Sequence, residues 1–122
     1  QVAKTLVAST KNLDKNPSFQ LPDQVEFVGL DVPEPIALMN ILAKRGCNRV
    51  LWECGPNLAS LAIKQGCVQE LEVFIAPKLM GGSAVRTPIG DLGFSSMDQL
   101  LEISGLCLEG VGSDLLIKGF LN

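Results

Sequence analysis

The sequence predicts an α/β domain in which a mostly parallel sheet is flanked by helices and is followed by a C-terminal antiparallel hairpin. Segments with strand-like and helix-like hydrophobic spacing alternate along the chain, and Gly and Pro stand between them. Such alternation is typical of parallel strands joined by crossover helices. The chain is 47% hydrophobic and only 19% charged, which is sufficient apolar material for a packed core.

The first half of the chain predicts two strands and a helix. Residues 4–9 (KTLVAS) and 25–30 (VEFVGL) have strand composition, and residues 11–23 between them are polar and contain two prolines, which favours a loop. A helix is expected to begin at Pro33-Glu34-Pro35 and to stop at Gly46. Proline is tolerated in a first helical turn, and glycine is favoured just beyond a helix end.

The middle of the chain predicts a strand, a second helix and another strand. Residues 49–53 (RVLWE) are short and mostly apolar, as an interior parallel strand should be. Gly55-Pro56-Asn57 turns into a helix that ends at Gly66, with Leu58, Leu61 and Ala62 expected to face inward. Residues 70–76 (ELEVFIA) alternate between apolar and polar, which predicts a half-buried strand.

A hairpin is expected after a long connection over residues 77–97. Leu101 and Ile103 would share one face of its first strand, and Gly105 would form a bulge after which Leu106 and Leu108 continue that face. The turn is expected over residues 110–114, and residues 115–121 form the returning strand.

Composition argues against several classes of function. The net charge is −3 and Lys and Arg form no basic stripe, so nucleic-acid binding has no support. No apolar run approaches the roughly 18 residues of a membrane span, and we expect a cytoplasmic protein, or one of the plastid stroma if the source is a plant. The chain has no His, and its four Cys lack the short CxxC spacing of zinc sites. We expect no metal, and reduced thiols that lie in the core except at Cys54.

The segment with the most chemical information is residues 50–61 (VLWECGPNLASL). Its strand, tight turn and helix would place free backbone N–H groups at the carboxyl end of a strand, where dinucleotide phosphates bind. Gly55 would allow close approach of a phosphate, Asn57 adds an amide, and Glu53 would need a polar partner such as a substrate hydroxyl or amine. A purely structural junction is the alternative, because Gly and Pro are common between a strand and a helix.

Four runs together resemble a known family: VLWECGPNLAS, VQELEVFIAPKLMGG, GDLGF and GSDLLIKGFL. In this order they are similar to the reductase domain of the bifunctional riboflavin-biosynthesis deaminase/reductase family. The resemblance implies a dihydrofolate-reductase-like fold and commonly a homodimer. It also implies NADPH-dependent reduction of the ribosyl group of 5-amino-6-(5-phosphoribosylamino)uracil, a phosphorylated pyrimidine riboside, to the ribityl form.

The family turn reads Glu-Gly-Gly-Pro-Thr-Leu, and it matches residues 53–58 here. On that match Glu53 would face the substrate, and the residues that would line the cofactor are Cys54, Gly55, Pro56, Asn57 and Leu58. Thr10, at the end of the first strand, is a further candidate on the adenosine side. Cys54 replaces the first glycine and would be strained if its backbone were left-handed. Asn57 replaces threonine, which changes the reach of the polar group.

The resemblance covers only the later part of such a domain, so residues 1–122 are expected to be its C-terminal part. No deaminase domain is expected, because neither H-x-E nor P-C-x-x-C occurs. No catalytic residue is assigned, and Asp91 and Asp114 are interpreted as turn residues. Two alternatives stay open: a non-catalytic nucleotide-binding or dimerisation module, and another dihydrofolate-reductase-like enzyme that acts on a pterin or folate.

Overall fold

The structure, a computed structural model, describes residues 4–12, 20–81 and 87–121. The chain divides into two compact units, Gln1–Leu51 and Trp52–Asn122, and each has its own sheet. Parts of two predicted loops, residues 13–19 and 82–86, lie outside the described residues.

The first unit contains a parallel strand pair and a helix. β1 (Thr5–Thr10) lies beside β2 (Val25–Leu30), in register from Thr5 opposite Val25 to Thr10 opposite Leu30. α1 (Pro35–Lys44) follows β2. These three elements confirm the sequence prediction for this part of the chain, and Leu30 at the end of β2 is buried.

Local signals explain where α1 begins and ends. Pro35 occupies the first turn, where its missing N–H costs nothing, and Gly46 follows the helix with φ of 86°, which glycine adopts without strain. The Arg45 guanidinium donates hydrogen bonds of 2.8 and 2.6 Å to the two carboxylate oxygens of Glu26. This ion pair ties the end of α1 to β2, and its hydrogen bonds lower the pKa of Glu26.

The second unit contains a helix and a three-stranded antiparallel sheet. α2 (Pro56–Lys64) is followed by β3 (Glu70–Ile75), a short 3-10 helix (Met97–Gln99), β4 (Ile103–Val111) and β5 (Asp114–Leu121). The strand order is β3-β5-β4, so β5 is central. β3 and β4 are therefore the two edges among the described strands of this sheet.

α2 buries one face in the second unit. The indole N–H of Trp52 donates to the carbonyl of Cys67 at 3.2 Å, just beyond the helix. Ser60, Ala62 and Ile63 are buried, whereas Leu58 is 42% exposed, so the predicted inward position of Leu58 is wrong. Ile63 of α2 helps to line an apolar pocket of about 260 Å³, together with Leu71, Ile89, Leu92, Phe94, Leu100, Leu101, Ile103 and Leu121.

The C-terminal hairpin has the predicted bulge and turn. The register shifts between Ser104 and Cys107, and Gly105 has φ of 60°, so two residues of β4 oppose Gly119 of β5. Val111 lies opposite Asp114, which leaves a two-residue turn whose first residue, Gly112, has φ of 62°. A positive φ at that position suits the twist of a hairpin, and glycine provides it.

Two predictions about the strands need correction. Residues 49–53 do not form a strand, because no described strand pairs with them and a strand exists only where a neighbour completes its hydrogen bonds. The boundary between the two units falls inside this segment, after Leu51. The second correction concerns β3, which was expected to join a mostly parallel sheet. β1 and β2 do pair parallel, but β3 pairs antiparallel with β5.

Burial of the apolar side chains and thiols is lower than predicted. On β3, Leu71 is half-buried, but Val73 and Ile75 are exposed. The apolar face of this strand is therefore less buried than its alternation of apolar and polar residues predicted. All four cysteines are free thiols, but only Cys67 is buried. Cys47 and Cys107 are exposed, and the prediction that they lie in the core is wrong. No helix in the described part of the chain has both the length and the apolar character to cross a membrane.

Candidate functional site

The turn singled out in the sequence leads directly into α2. Gly55 is the N-cap residue, with φ of −74° and ψ of 170°, and Pro56 occupies the first turn. None of the described side chains caps this end of the helix, and the first turn contains no acidic residue. The positive end of the helix dipole is therefore not neutralised by the helix itself.

Two backbone donors of the first turn are available to an anion. The N–H groups at a helix start have no acceptor within the helix, and Pro56 has no N–H to offer. The available donors are the N–H groups of Asn57 and Leu58, whereas the N–H of Ala59 already donates to the carbonyl of Gly55 at 3.0 Å. Asn57 and Leu58 are both exposed, so a ligand can reach their backbone. This arrangement is suited to phosphate oxygens.

Gly55 has no structural need to be a glycine in this fold. Its φ and ψ are ordinary extended values that any residue adopts, and a Cβ placed on it would meet no atom of the described residues within 4 Å. The absence of a side chain leaves open space in front of the first turn. A ligand phosphate in that space would be in contact with backbone rather than with a side chain.

Cys54 is not strained in its place before the N-cap. No described residue other than glycine has a positive φ, so Cys54 can replace the family's first glycine without cost to the backbone. Its side chain is half-buried and its thiol is free. The backbone strain that was expected if Cys54 adopted a left-handed conformation is therefore absent.

The remaining predicted site residues lie at the surface of their units. Glu53 is exposed two residues before the N-cap, in the same turn as residues 54–58. Thr10 is the exposed last residue of β1 and belongs to the first unit, whereas the turn belongs to the second. The roles predicted for Glu53 and Thr10 stay predictions.

Two residues that the sequence did not single out contact the first turn of α2. The Gly90 N–H donates to the Pro56 carbonyl at 3.0 Å, and the Ser60 hydroxyl donates to the Asn57 carbonyl at 3.0 Å. Ser60 is only 8% exposed. A Cβ on Gly90 would lie 3.1 Å from both the Pro56 oxygen and the Ser60 Oγ, so a side chain there would have to displace one of them by a few tenths of an ångström. Ser60 fits the ordinary helical pattern of α2, and Gly90 is remote from α2 in sequence. No sequence signal therefore marks either residue as part of the site.

The two aspartates interpreted as turn residues have that role. The carboxylate of Asp91 accepts the backbone N–H of Gly93 at 2.7 Å, and the carboxylate of Asp114 accepts the hydroxyl of Ser113 at 3.1 Å beside the hairpin turn. Within the described ranges, no group of three or more His, Cys, Asp and Glu side chains is arranged to hold a metal ion.

Comparison with known proteins identifies the family. Residues 1–117 match the RibD C-terminal domain family. The riboflavin biosynthesis protein RibD of Synechocystis sp. is 45% identical over 121 residues, which cover 98% of this chain and 33% of that protein. The chloroplastic riboflavin biosynthesis protein PYRR of Arabidopsis thaliana is 42% identical over 97 residues, covering 80% of this chain and 16% of that protein. The chain therefore spans a third or less of the length of these two relatives.

A solved structure supports the fold. Acinetobacter baumannii RibD superimposes with a TM-score of 0.67 at 22% sequence identity, over 81% of this chain and 27% of that one. The dihydrofolate-reductase-like α/β fold expected from the sequence is thereby confirmed, and so is the resemblance stated on its four runs. The chain belongs to the RibD C-terminal domain family.

Proposed function

We propose that this chain supplies the cofactor-binding turn of an NADPH-dependent reductase of riboflavin biosynthesis. The substrate would be 5-amino-6-(5-phosphoribosylamino)uracil, whose ribosyl group is reduced to the ribityl form. Membership of the RibD C-terminal domain family supports the pathway and the reductase class. The observation that supports the cofactor site is the open space at Gly55, in front of a helix start with no cap.

The turn fits a dinucleotide phosphate by its chemistry. Two exposed N–H donors, on Asn57 and Leu58, and an uncompensated helix dipole favour a negatively charged ligand. A side chain at position 55 would occupy the space that the phosphate needs. When bound, NADPH would supply the hydride, and the protein would contribute binding, orientation and exclusion of water.

Glu53 is our candidate for the substrate side of the turn. Its exposed carboxylate is an acceptor that can take hydrogen bonds from ribose hydroxyls or from the amine of the pyrimidine. We assign no catalytic acid or base within this chain.

The test is a titration of the chain with NADPH, and separately with NADH, while the fluorescence of Trp52 is followed. Trp52 is the only tryptophan and no tyrosine is present. Its hydrogen bond to the Cys67 carbonyl anchors it in the same unit as the turn. We expect saturable quenching by NADPH, with an affinity about ten-fold lower in Gly55→Val, a loss of about 1.4 kcal/mol.

Gly110→Ala is the matched control, because a Cβ there also meets nothing within 4 Å and no ligand is proposed near it. Equal NADPH affinity in the wild type and Gly55→Val would place the cofactor elsewhere. No quenching up to about 1 mM NADPH by the folded chain would favour the alternative of a non-catalytic dimerisation module.

We also propose that the protein forms a homodimer through the hairpin face, defined as the side of the antiparallel sheet that presents Val73, Ile75, Leu106, Leu108 and Leu115. Leu106 and Leu108 are each 60% exposed, and β4 is an edge strand among the described ones. A contiguous exposed apolar surface of this kind favours a self-complementary interface with a second copy.

A further inference from the structure

The carbonyls of the first turn of α2 are held by two residues outside the predicted site. The Pro56 carbonyl accepts the N–H of Gly90, and the Asn57 carbonyl accepts the hydroxyl of Ser60, each at 3.0 Å. Each bond also acts on the whole peptide group to which its carbonyl belongs.

Each of these carbonyls shares a peptide group with one of the two available donors. The carbonyl of Pro56 and the N–H of Asn57 belong to one planar peptide, and the carbonyl of Asn57 and the N–H of Leu58 belong to the next. The helix's own hydrogen bonds already orient both peptides, and a second hydrogen bond to the oxygen sets the direction of the N–H more firmly. It polarises the peptide as well, so the N–H becomes a better donor.

The surroundings make both contacts specific. Ser60 is 8% exposed, so its hydroxyl has little access to water as an alternative partner. Gly90 approaches the helix closely, and a Cβ on it would make tight contacts of 3.1 Å with the Pro56 oxygen and with Ser60 Oγ. Ile89 and Leu92, on either side of Gly90, line the same apolar pocket as Ile63 of α2. The segment around Gly90 is thus packed on the helix by side chains and by one backbone bond.

We propose that Ser60 and Gly90 are positioning residues for cofactor binding: Gly90 sets and polarises the N–H of Asn57, and Ser60 does the same for the N–H of Leu58. The proposal rests on the proposed function, because it takes these two N–H groups to be the phosphate donors. Neither Ser60 nor Gly90 touches the ligand itself.

The test compares NADPH binding by the wild type, Ser60→Ala and Gly90→Ala, using Trp52 fluorescence for affinity and amide NMR for the two donors. Removal of one hydrogen bond from a donor peptide should weaken NADPH binding about five-fold. In Ser60→Ala the NADPH-induced downfield shift of the Leu58 amide should shrink while that of Asn57 is retained. In Gly90→Ala the shift of the Asn57 amide should shrink; the Leu58 amide is judged only in Ser60→Ala, because a Cβ at position 90 also lies 3.1 Å from Ser60 Oγ.

Ser113→Ala is the control, since it removes a hydroxyl at the hairpin turn of the same unit, and its NADPH affinity should equal that of the wild type. Ser60→Ala is nearly isosteric and should fold, so it tests the positioning role even if Gly90→Ala does not fold. General loosening of α2 would reduce both amide responses equally and would overturn the proposal, as would unchanged affinity in Ser60→Ala. If the wild type itself does not bind NADPH, the proposed function fails first, and this inference fails with it.

Discussion

At the scale of single residues, the four thiols differ in their access to solvent. Cys47 and Cys107 are exposed, Cys54 is half-buried and Cys67 is buried. Burial raises the pKa of the Cys67 thiol above its ordinary value. Because the thiolate is the reactive form, the raised pKa of Cys67 reduces its reactive fraction, and its burial reduces its access to reagents.

We therefore predict a fixed order of thiol modification in the native protein. Cys47 and Cys107 should react rapidly with iodoacetamide near neutral pH, Cys54 more slowly, and Cys67 last, with a rate at least about ten-fold below that of Cys107. Mass spectrometry of the labelled peptides over time measures the order. The same reaction in denaturant is the control, in which all four rates should converge. Native labelling of Cys67 as fast as that of Cys107 would contradict the burial of the Cys67 side chain.

At the scale of elements, the hairpin depends on a glycine opposite its bulge. Gly119 faces Gly105 and Leu106 across the register shift, and a Cβ on Gly119 would collide with Cγ2 of Ile103. That atom belongs to a β-branched side chain on the neighbouring strand, which has little freedom to move away. The bulge therefore excludes a side chain at position 119.

We predict that Gly119→Ala lowers the free energy of unfolding by about 1–3 kcal/mol, the range for overpacking in a close-fitted site. Gly110→Ala, on β4 of the same hairpin, adds the same methyl group into open space and should change the free energy of unfolding by less than about 0.5 kcal/mol. Urea denaturation of the two variants measures the difference. Equal stabilities would mean that the hairpin accommodates a side chain opposite the bulge.

At the scale of the whole molecule, the exposed apolar surface is the one through which we propose that the protein dimerises. On the hairpin face, Leu108 lies opposite Ile117, and Ile117 lies opposite Val73. Leu106 joins this face because its Cδ1 lies 3.7 Å from the Cβ position of Gly119, two residues from Ile117. Apolar residues thus extend across all three strands of the sheet.

We expect the protein to be a dimer in sedimentation equilibrium, and the double variant Leu106→Lys, Leu108→Lys to be a monomer, because the buried charges would have no partners. Leu79→Lys makes the same change at a fully exposed leucine outside the strands and should leave the dimer intact. A wild type that is monomeric at every concentration, or a double variant that stays dimeric, would contradict the proposed interface.

Signals within a few residues determined much of this protein from the sequence alone. Pro35 and Pro56 mark helix starts, Gly46 and Gly66 follow helix ends with positive φ, and Gly105 marks the bulge. The turn over residues 53–58 could also be predicted, because its chemistry is contained in consecutive residues and in the family resemblance.

Only the tertiary structure decided which strands pair and which residues support the turn. Residues 49–53 have strand composition, but none of the described strands pairs with them, and β3 pairs antiparallel with β5 instead of joining a parallel sheet. The bond between Gly90 and Pro56 likewise joins residues far apart in sequence. Local preference can specify a helix, whose hydrogen bonds are internal, but a strand or a long-range contact depends on a partner that only the folded chain provides.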